Sequence, residues 1–221
     1  MFLRRPLRLL FFLVLIDATR GAEWTVPGQF STIQATLTVA NNKDIIWLKP
    51  GVYAENLNFE GKDIALRSLE GPKETILNAQ QNTGILIGPL GELSGITISN
   101  AFAYFGAGME VHGTGTIIRS NVFIKNIQAS GGFGAGIAGN AASPIIEQNI
   151  FLFNSGDSQL LSGVITFVNG SSPRIINNLF VSNSCAALNL ALPEGNTPLV
   201  ENNTIVANTA GIHHYSSSII T

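Results

Sequence analysis

The chain has 221 residues, of which 45% are hydrophobic and only 12% charged, a balance that suits an extensive buried core and excludes a disordered stalk. Its formal net charge is −2, and residues 1–21 hold four of the 12 basic side chains but one of the 14 acids, so the remainder carries −5. Nucleic acid is therefore excluded as a natural partner, because a phosphate backbone is bound by Lys and Arg.

Residues 1–21 read as a secretory signal peptide. Arg4, Arg5 and Arg8 form a basic head, and Leu9 to Ile16 form an apolar run too short to span a bilayer. Cleavage is expected near Gly21 or Ala22, leaving a mature chain with no transmembrane span, secreted or held at the cell surface or in the periplasm. Cys185 is the only cysteine, so no intramolecular disulfide is available and the fold must rest on its core and ladder hydrogen bonds. Residues 22–221 form one domain. Ser31 or Thr32 can cap a short amphipathic helix near residues 31–41, with Ile33, Leu37 and Ala40 on one face.

A repeat then sets in. Asn121-Val-Phe-Ile-Lys-Asn126, Asn149-Ile-Phe-Leu-Phe-Asn154, Asn178-Leu-Phe-Val-Ser-Asn183 and Asn203-Thr-Ile-Val-Ala-Asn208 follow one another at spacings of 28, 29 and 25 residues. Such a period is the mark of a solenoid. A β-rich stretch precedes each leading Asn (Thr116-Ile-Ile-Arg119, Pro144-Ile-Ile-Glu147, Pro173-Arg-Ile-Ile176, Pro198-Leu-Val-Glu201), and a third strand follows the trailing Asn, opened in successive rungs by the equivalent residues Gly108, Gly136, Gly163, Ala187 and Gly211. Three short strands per repeat, parted by residues that tolerate positive φ, describe a triangular rung. Phe123, Phe151, Phe180 and Ile205 occupy one place in the repeat, and Ile118, Ile146, Ile175 and Val200 another, so both sets should point inward. The leading Asn residues are expected at sharp left-handed corners, with their amides bonded along the coil.

The pattern Pro-x-Ile-x-x-Asn-x-(Phe/Ile)-x-x-Asn resembles the right-handed parallel β-helix repeats of the pectin-lyase-like superfamily. Phe30-Ser-Thr-Ile-Gln-Ala-Thr-Leu37, Asp44 to Asn56 and Gly61 to Ser68 are similar to the opening of its secreted members, with Lys43 where a Gly commonly precedes the Asp. The resemblance implies an all-β, single-stranded right-handed coil over about residues 24–221, plugged at its N-terminal end by the short helix. It leaves function open, since this coil carries lyases, hydrolases, esterases, epimerases and adhesive modules alike. The paired Asp motifs of pectin hydrolases, the Gln-Asp and Gly-Arg-Pro-Trp motifs of pectin esterases and the Arg-x-Pro-x-x-Arg of pectate lyases are absent from the sequence. Gly134-Ala-Gly-Ile-Ala-Gly139 fits a dinucleotide fingerprint, but it repeats the pattern at Phe105-Gly-Ala-Gly-Met109 and no helix pattern follows it.

Chemistry could sit on the third strand of each rung. With Met109 and Val111 inward, Glu110 and His112 face out. Neighbouring rungs then supply two outward columns, one of Leu86, Glu110, Ala138, Ile165, Asn189 and His213, the other of Gly88, His112, Asn140, Phe167, Ala191 and Tyr215. Long connections at 101–107, 127–135 and 155–162 should wall this face with Phe102, Tyr104, Phe105 and Phe133. Tyr104, Glu110, His112, Asn140 and Asp157 are the substrate-binding candidates; Glu110 and His112 are also the only catalytic candidates. Arg119 and Glu147 are expected to form a surface ion pair. No cofactor is expected; no sequence feature supports calcium.

Three readings remain: an exported β-helix that binds or displays a polysaccharide or cell-envelope glycan, a lyase or epimerase acting on uronate glycans, and a structural or adhesive surface repeat. The last rung, with Ile212, Ile219 and Ile220, carries no plug pattern, which points to self-association through that end or to a longer chain.

Overall fold

The computed structural model describes residues 21–157 and 162–214. The readings of residues 1–20, of Tyr215 and of the end at 216–221 lie outside the described residues.

The chain winds as a right-handed parallel β-solenoid of about eight turns. Each turn visits three sheets in order. The first runs from Glu23–Val26 to Leu199–Glu201 in eight strands, the second from Gly51–Tyr53 to Thr204–Val206 in seven, and the third from Leu57–Asn58 to Ala210–His214 in seven. Pairing is parallel throughout, so each strand bonds its equivalents one turn before and after. Side chains alternate in and out, and the inward ones stack into columns about 4.8 Å apart.

The expected inward sets are inward. Ile118, Ile146 and Ile175 are fully buried and Val200 nearly so. Phe123, Phe151 and Phe180 are fully buried too, with ring centroids 5.0 and 4.7 Å apart and planes within 13° and 6°. Ile98 and Ile205 extend this column by one turn at either end.

The Asn residues form two ladders. In the first, the Oδ1 of Asn149 accepts from both the backbone N–H and the Nδ2 of Asn121, and Asn149 donates in the same way to Asn178. Asn126, Asn154, Asn183 and Asn208 repeat the arrangement at the next corner. The corner geometry differs from expectation in one respect. Left-handed backbone belongs to the residue before each Asn: Ser120, Gln148, Asn177 and Asn202 at one corner, Lys125, Phe153, Ser182 and Ala207 at the other, all with φ between 52° and 56°. That residue makes the bend, which carries the following Asn to the inner side of the corner, where its amide is buried and can reach along the axis.

The helix spans Ile33–Val39, with Thr32 as N-cap, and Ile33, Leu37 and Ala40 seal the end of the core. Two charged side chains complement its dipole: Glu55 accepts from the backbone N–H groups of Ile33 and Gln34, and the Lys62 ammonium donates to the carbonyls of Leu37 and Thr38. Lys43 has φ of 74°, which explains why Gly commonly takes that place. Beside it, Asp44 accepts from the Ala22 and Asn41 amides and the Trp24 indole. Burial pushes its pKa up, but these three bonds more than reverse the shift, and the net direction is down.

Candidate functional site

The long connections between the second and third sheets leave the coil and return to it. Their outgoing limbs pair in parallel as Phe102–Phe105 against Ile127–Phe133, and Ile127 bridges to Ser155 on the following turn. This is the expected wall. Phe133 holds it together, meeting Tyr104 edge-on at 6.0 Å and Phe105 at 5.7 Å. The returning limbs press onto the outer face of the third sheet at two left-handed glycines. A Cβ on Gly106 would stand 2.3 Å from the Met109 carbonyl oxygen, and one on Gly134 would stand 2.3 Å from that of Ile137 and 2.8 Å from the Ala138 Cβ. The glycine-rich motif thus serves close backbone packing, and a strand, Ile137–Asn140, follows it.

Of the five expected site residues, Glu110 and His112 are in direct contact. They share the outer face of strand Met109–Val111 and its end, with Oε1 and Nε2 2.9 Å apart and the imidazole half exposed. Asn140 lies one turn on, at the register position after the Val111–Gly139 pair, and its Oδ1 accepts from Asn169 Nδ2 at 2.7 Å. Tyr104 is exposed in the wall. Asp157 is turned elsewhere: its Oδ2 accepts from the Gly131 amide at 2.6 Å and the Ser130 hydroxyl at 3.2 Å, which staples the wall from the next turn.

The two outward columns need correction at one rung. Gly163 is not the equivalent of Gly136, which pairs instead with Val164. Ile165 therefore follows Ile137 into the core and Thr166 takes its place in the outward column, between Ala138 and Asn189. Phe167 likewise points inward, where its ring fills the space above Gly139, and Val168 follows Asn140. Ala138, Thr166 and Asn189 are fully buried although they face outward, so the partly exposed members of this column are Leu86, Glu110 and His213, and Glu110 is the one carboxylate among them. Cys185 is buried beside Ser162, and burial pushes its thiol up to about 12.

Two features escaped the sequence. On the outer face of the first sheet, Arg67 forks onto Glu92 at 3.0 and 2.6 Å and Arg119 adds a contact at 2.8 Å, so Arg119 pairs with Glu92 and not with Glu147 as expected. Burial raises the Glu92 pKa, but the two guanidinium groups outweigh it and lower the net value. The second feature is an open cleft of about 240 Å³ at the corner between the second and third sheets, lined by Gln81, Asn100, Ala101, Phe102, Lys125 and Ile127. Its signal in the sequence is Lys125, a long cation at the corner place that Ser182 and Ala207 fill in the last two rungs. Among the described residues no group of three His, Cys, Asp or Glu side chains could hold a metal, and no helix is long and apolar enough to cross a membrane.

The coil, its ladders and its loop wall define a right-handed parallel β-helix. Residues 73–221 match the model of the right-handed β-helix region, and the chain belongs to that family. No curated protein sequence matches it. Among solved structures it is similar to pectin methylesterase PemA from Erwinia chrysanthemi, at 13% identity and TM-score 0.54, over 87% of this chain and 67% of that one. A pectin methylesterase in complex with a hexasaccharide gives 13% identity and TM-score 0.53, over 87% and 81%. At these identities the likeness establishes the fold.

Proposed function

We propose that the protein is an exported β-helix that binds polysaccharide across the outer face of its third sheet, beside the loop wall. The observation that carries the reading is the Glu110–His112 pair, its imidazole half exposed, next to an aromatic wall that two glycines hold against the same strand face. A sugar ring offers a flat C–H face and a rim of hydroxyls. Tyr104 supplies an aromatic surface, while Glu110 accepts through its other oxygen, the second ring nitrogen of His112 adds a polar contact and the Asn140 amide both donates and accepts. A pectin methylesterase of this fold has been solved with a hexasaccharide, which supports a coil surface as a seat for an extended sugar chain.

The contact at 2.9 Å favours a second reading, in which Glu110 and His112 move a proton at a uronate carbon, as a lyase or epimerase requires. That chemistry also needs a cation to hold the sugar carboxylate, and among the described residues the two outward columns include no Lys or Arg, so binding ranks first. Titration calorimetry with neutral and uronate oligosaccharides tests both readings. The double variant Glu110→Ala, His112→Ala is expected to lose the binding. Binding that survives it unchanged moves the site elsewhere, and an ultraviolet-absorbing unsaturated product from the unaltered protein alone would put the lyase first. Export is tested by N-terminal sequencing of the protein outside the cytoplasm, with the new end expected near Gly21 or Ala22.

A further inference from the structure

We propose that the cleft at the corner between the second and third sheets is a second carbohydrate site, built for an anionic sugar unit such as a uronate. It is distinct from the Glu110–His112 face. The cleft opens on the corner and outgoing limbs of the long connections, at Phe102 and Ile127, whereas the returning limbs at Gly106 and Gly134 lie against the Glu110 column.

Its chemistry is that of acidic-sugar recognition. The Lys125 ammonium stands exposed in the cleft and makes no ion pair among the described residues. Gln81 and Asn100 bring amide side chains from the two preceding turns, and amides match the mixed donors and acceptors of a hydroxyl rim. Phe102 and Ile127, 47% and 46% exposed, supply an apolar floor. Sites for drug-sized ligands run from roughly 300 to 1,000 Å³. This one is smaller and open, which suits a short stretch of a glycan whose remainder lies on the surface.

Phe153 is an independent observation. It occupies the corner place one turn beyond Lys125, it is 53% exposed, and its φ is 53°. A bulky residue is disfavoured in the left-handed region, and an exposed ring recovers little by burial. Ser182 and Ala207 fill the same place on the following turns without such a side chain. A ring held out beside the cleft is accounted for by a ligand that stacks on it: Phe153 and Phe102 offer faces to sugar rings on either side of the cation that takes the carboxylate.

The test is calorimetric titration of tetragalacturonate and its fully methyl-esterified form, in which each carboxylate is capped by a methyl group and its charge removed. The unaltered protein should favour the acid. Lys125→Gln should weaken the acid roughly tenfold or more and leave the ester unchanged, because it removes one charge-assisted contact. Phe153→Asn should weaken both ligands while melting no lower than the parent, since Asn accepts the left-handed corner; a merely structural ring would lower the melting temperature instead. This inference rests on glycan binding by the protein and does not depend on the Glu110–His112 site. Loss of binding in the Glu110→Ala, His112→Ala variant, with Lys125→Gln unaffected, overturns the cleft and keeps the other face. The reverse result does the opposite. Equal affinity for acid and ester, or no binding of either, overturns the cleft as an anionic-sugar site.

Discussion

Replacing Phe151 by Ala should cost about 3–5 kcal/mol, near the upper end of that range. The ring is fully buried and stacked on both faces, at 5.0 Å from Phe123 and 4.7 Å from Phe180. Truncation therefore removes two aromatic contacts, each worth about 0.5–1.5 kcal/mol beyond area burial. Collapse around the gap is limited, because the neighbouring rings sit on strands fixed by parallel pairing on both sides and Gly136 already packs its backbone against the ring, a Cβ there lying 3.0 Å from Phe151 Cδ1. For a chain of this size each kcal/mol moves the melting temperature by roughly 2–4 °C, so the midpoint should fall by about 6–20 °C. Thermal melting followed at a β-sheet circular dichroism band measures it, with Phe151→Leu as the milder control. If Phe151→Ala melts with the parent, the column is not a packed interior and the inside-outside register of the second sheet is wrong.

Asn149→Ala should cost about 3 kcal/mol or more in urea unfolding. It strips a buried acceptor from the Asn121 backbone N–H and a donor from the Ile118 carbonyl, each worth about 1–3 kcal/mol when left bare. Asn203→Ala, at a half-buried end of the ladder, should cost less. Glu92 has a folded pKa below its ordinary 4.5, so its contribution is complete above that value and disappears as pH falls through the lower folded value; Glu92→Gln should flatten this acid limb of the stability curve. Cys185, its thiol pushed up to about 12, should resist a thiol reagent at pH 8 until the protein is unfolded, and rapid labelling of the native state would contradict its burial.

The coil was legible because its interior repeats. Every rung must place a side chain of similar size at the same inward position, so Phe123, Phe151 and Phe180, and the Asn pairs that bracket them, recur in sequence as they stack in space. The outward columns were less legible, since nothing requires a repeat there. Matching Gly163 to Gly136 slipped one rung by a residue and sent Ile165 and Phe167 to the wrong side, because a one-residue slip exchanges the two faces of a strand. Hydrophobicity carried the correction: Phe167 follows Gly139 in register, and the missing side chain of one leaves room for the ring of the other. The Arg67–Glu92–Arg119 cluster joins residues 25 and 27 positions apart, with no local pattern to announce it.

The corner before each trailing Asn explains why the cleft lies where it does. Inside the corner, Asn126, Asn154 and Asn183 are held by bonds along the axis and by donation to the carbonyl of the strand before, so exchange there breaks the ladder. The residue ahead of each Asn needs only to accept the left-handed backbone. A small side chain suffices, and Asn100, Ser182 and Ala207 are of that kind. Variation at this place is therefore cheap in ladder energy and costs only the local backbone preference, about 1–2 kcal/mol for an ill-suited residue. Lys125 and Phe153 are the two that depart, on adjacent turns, and they stand next to the two exposed apolar residues Phe102 and Ile127 of the loop limbs. The buried amides thus restrict exchange inside the corner while the residue ahead of them is free to vary, and the two departures cluster where the long loops expose Phe102 and Ile127.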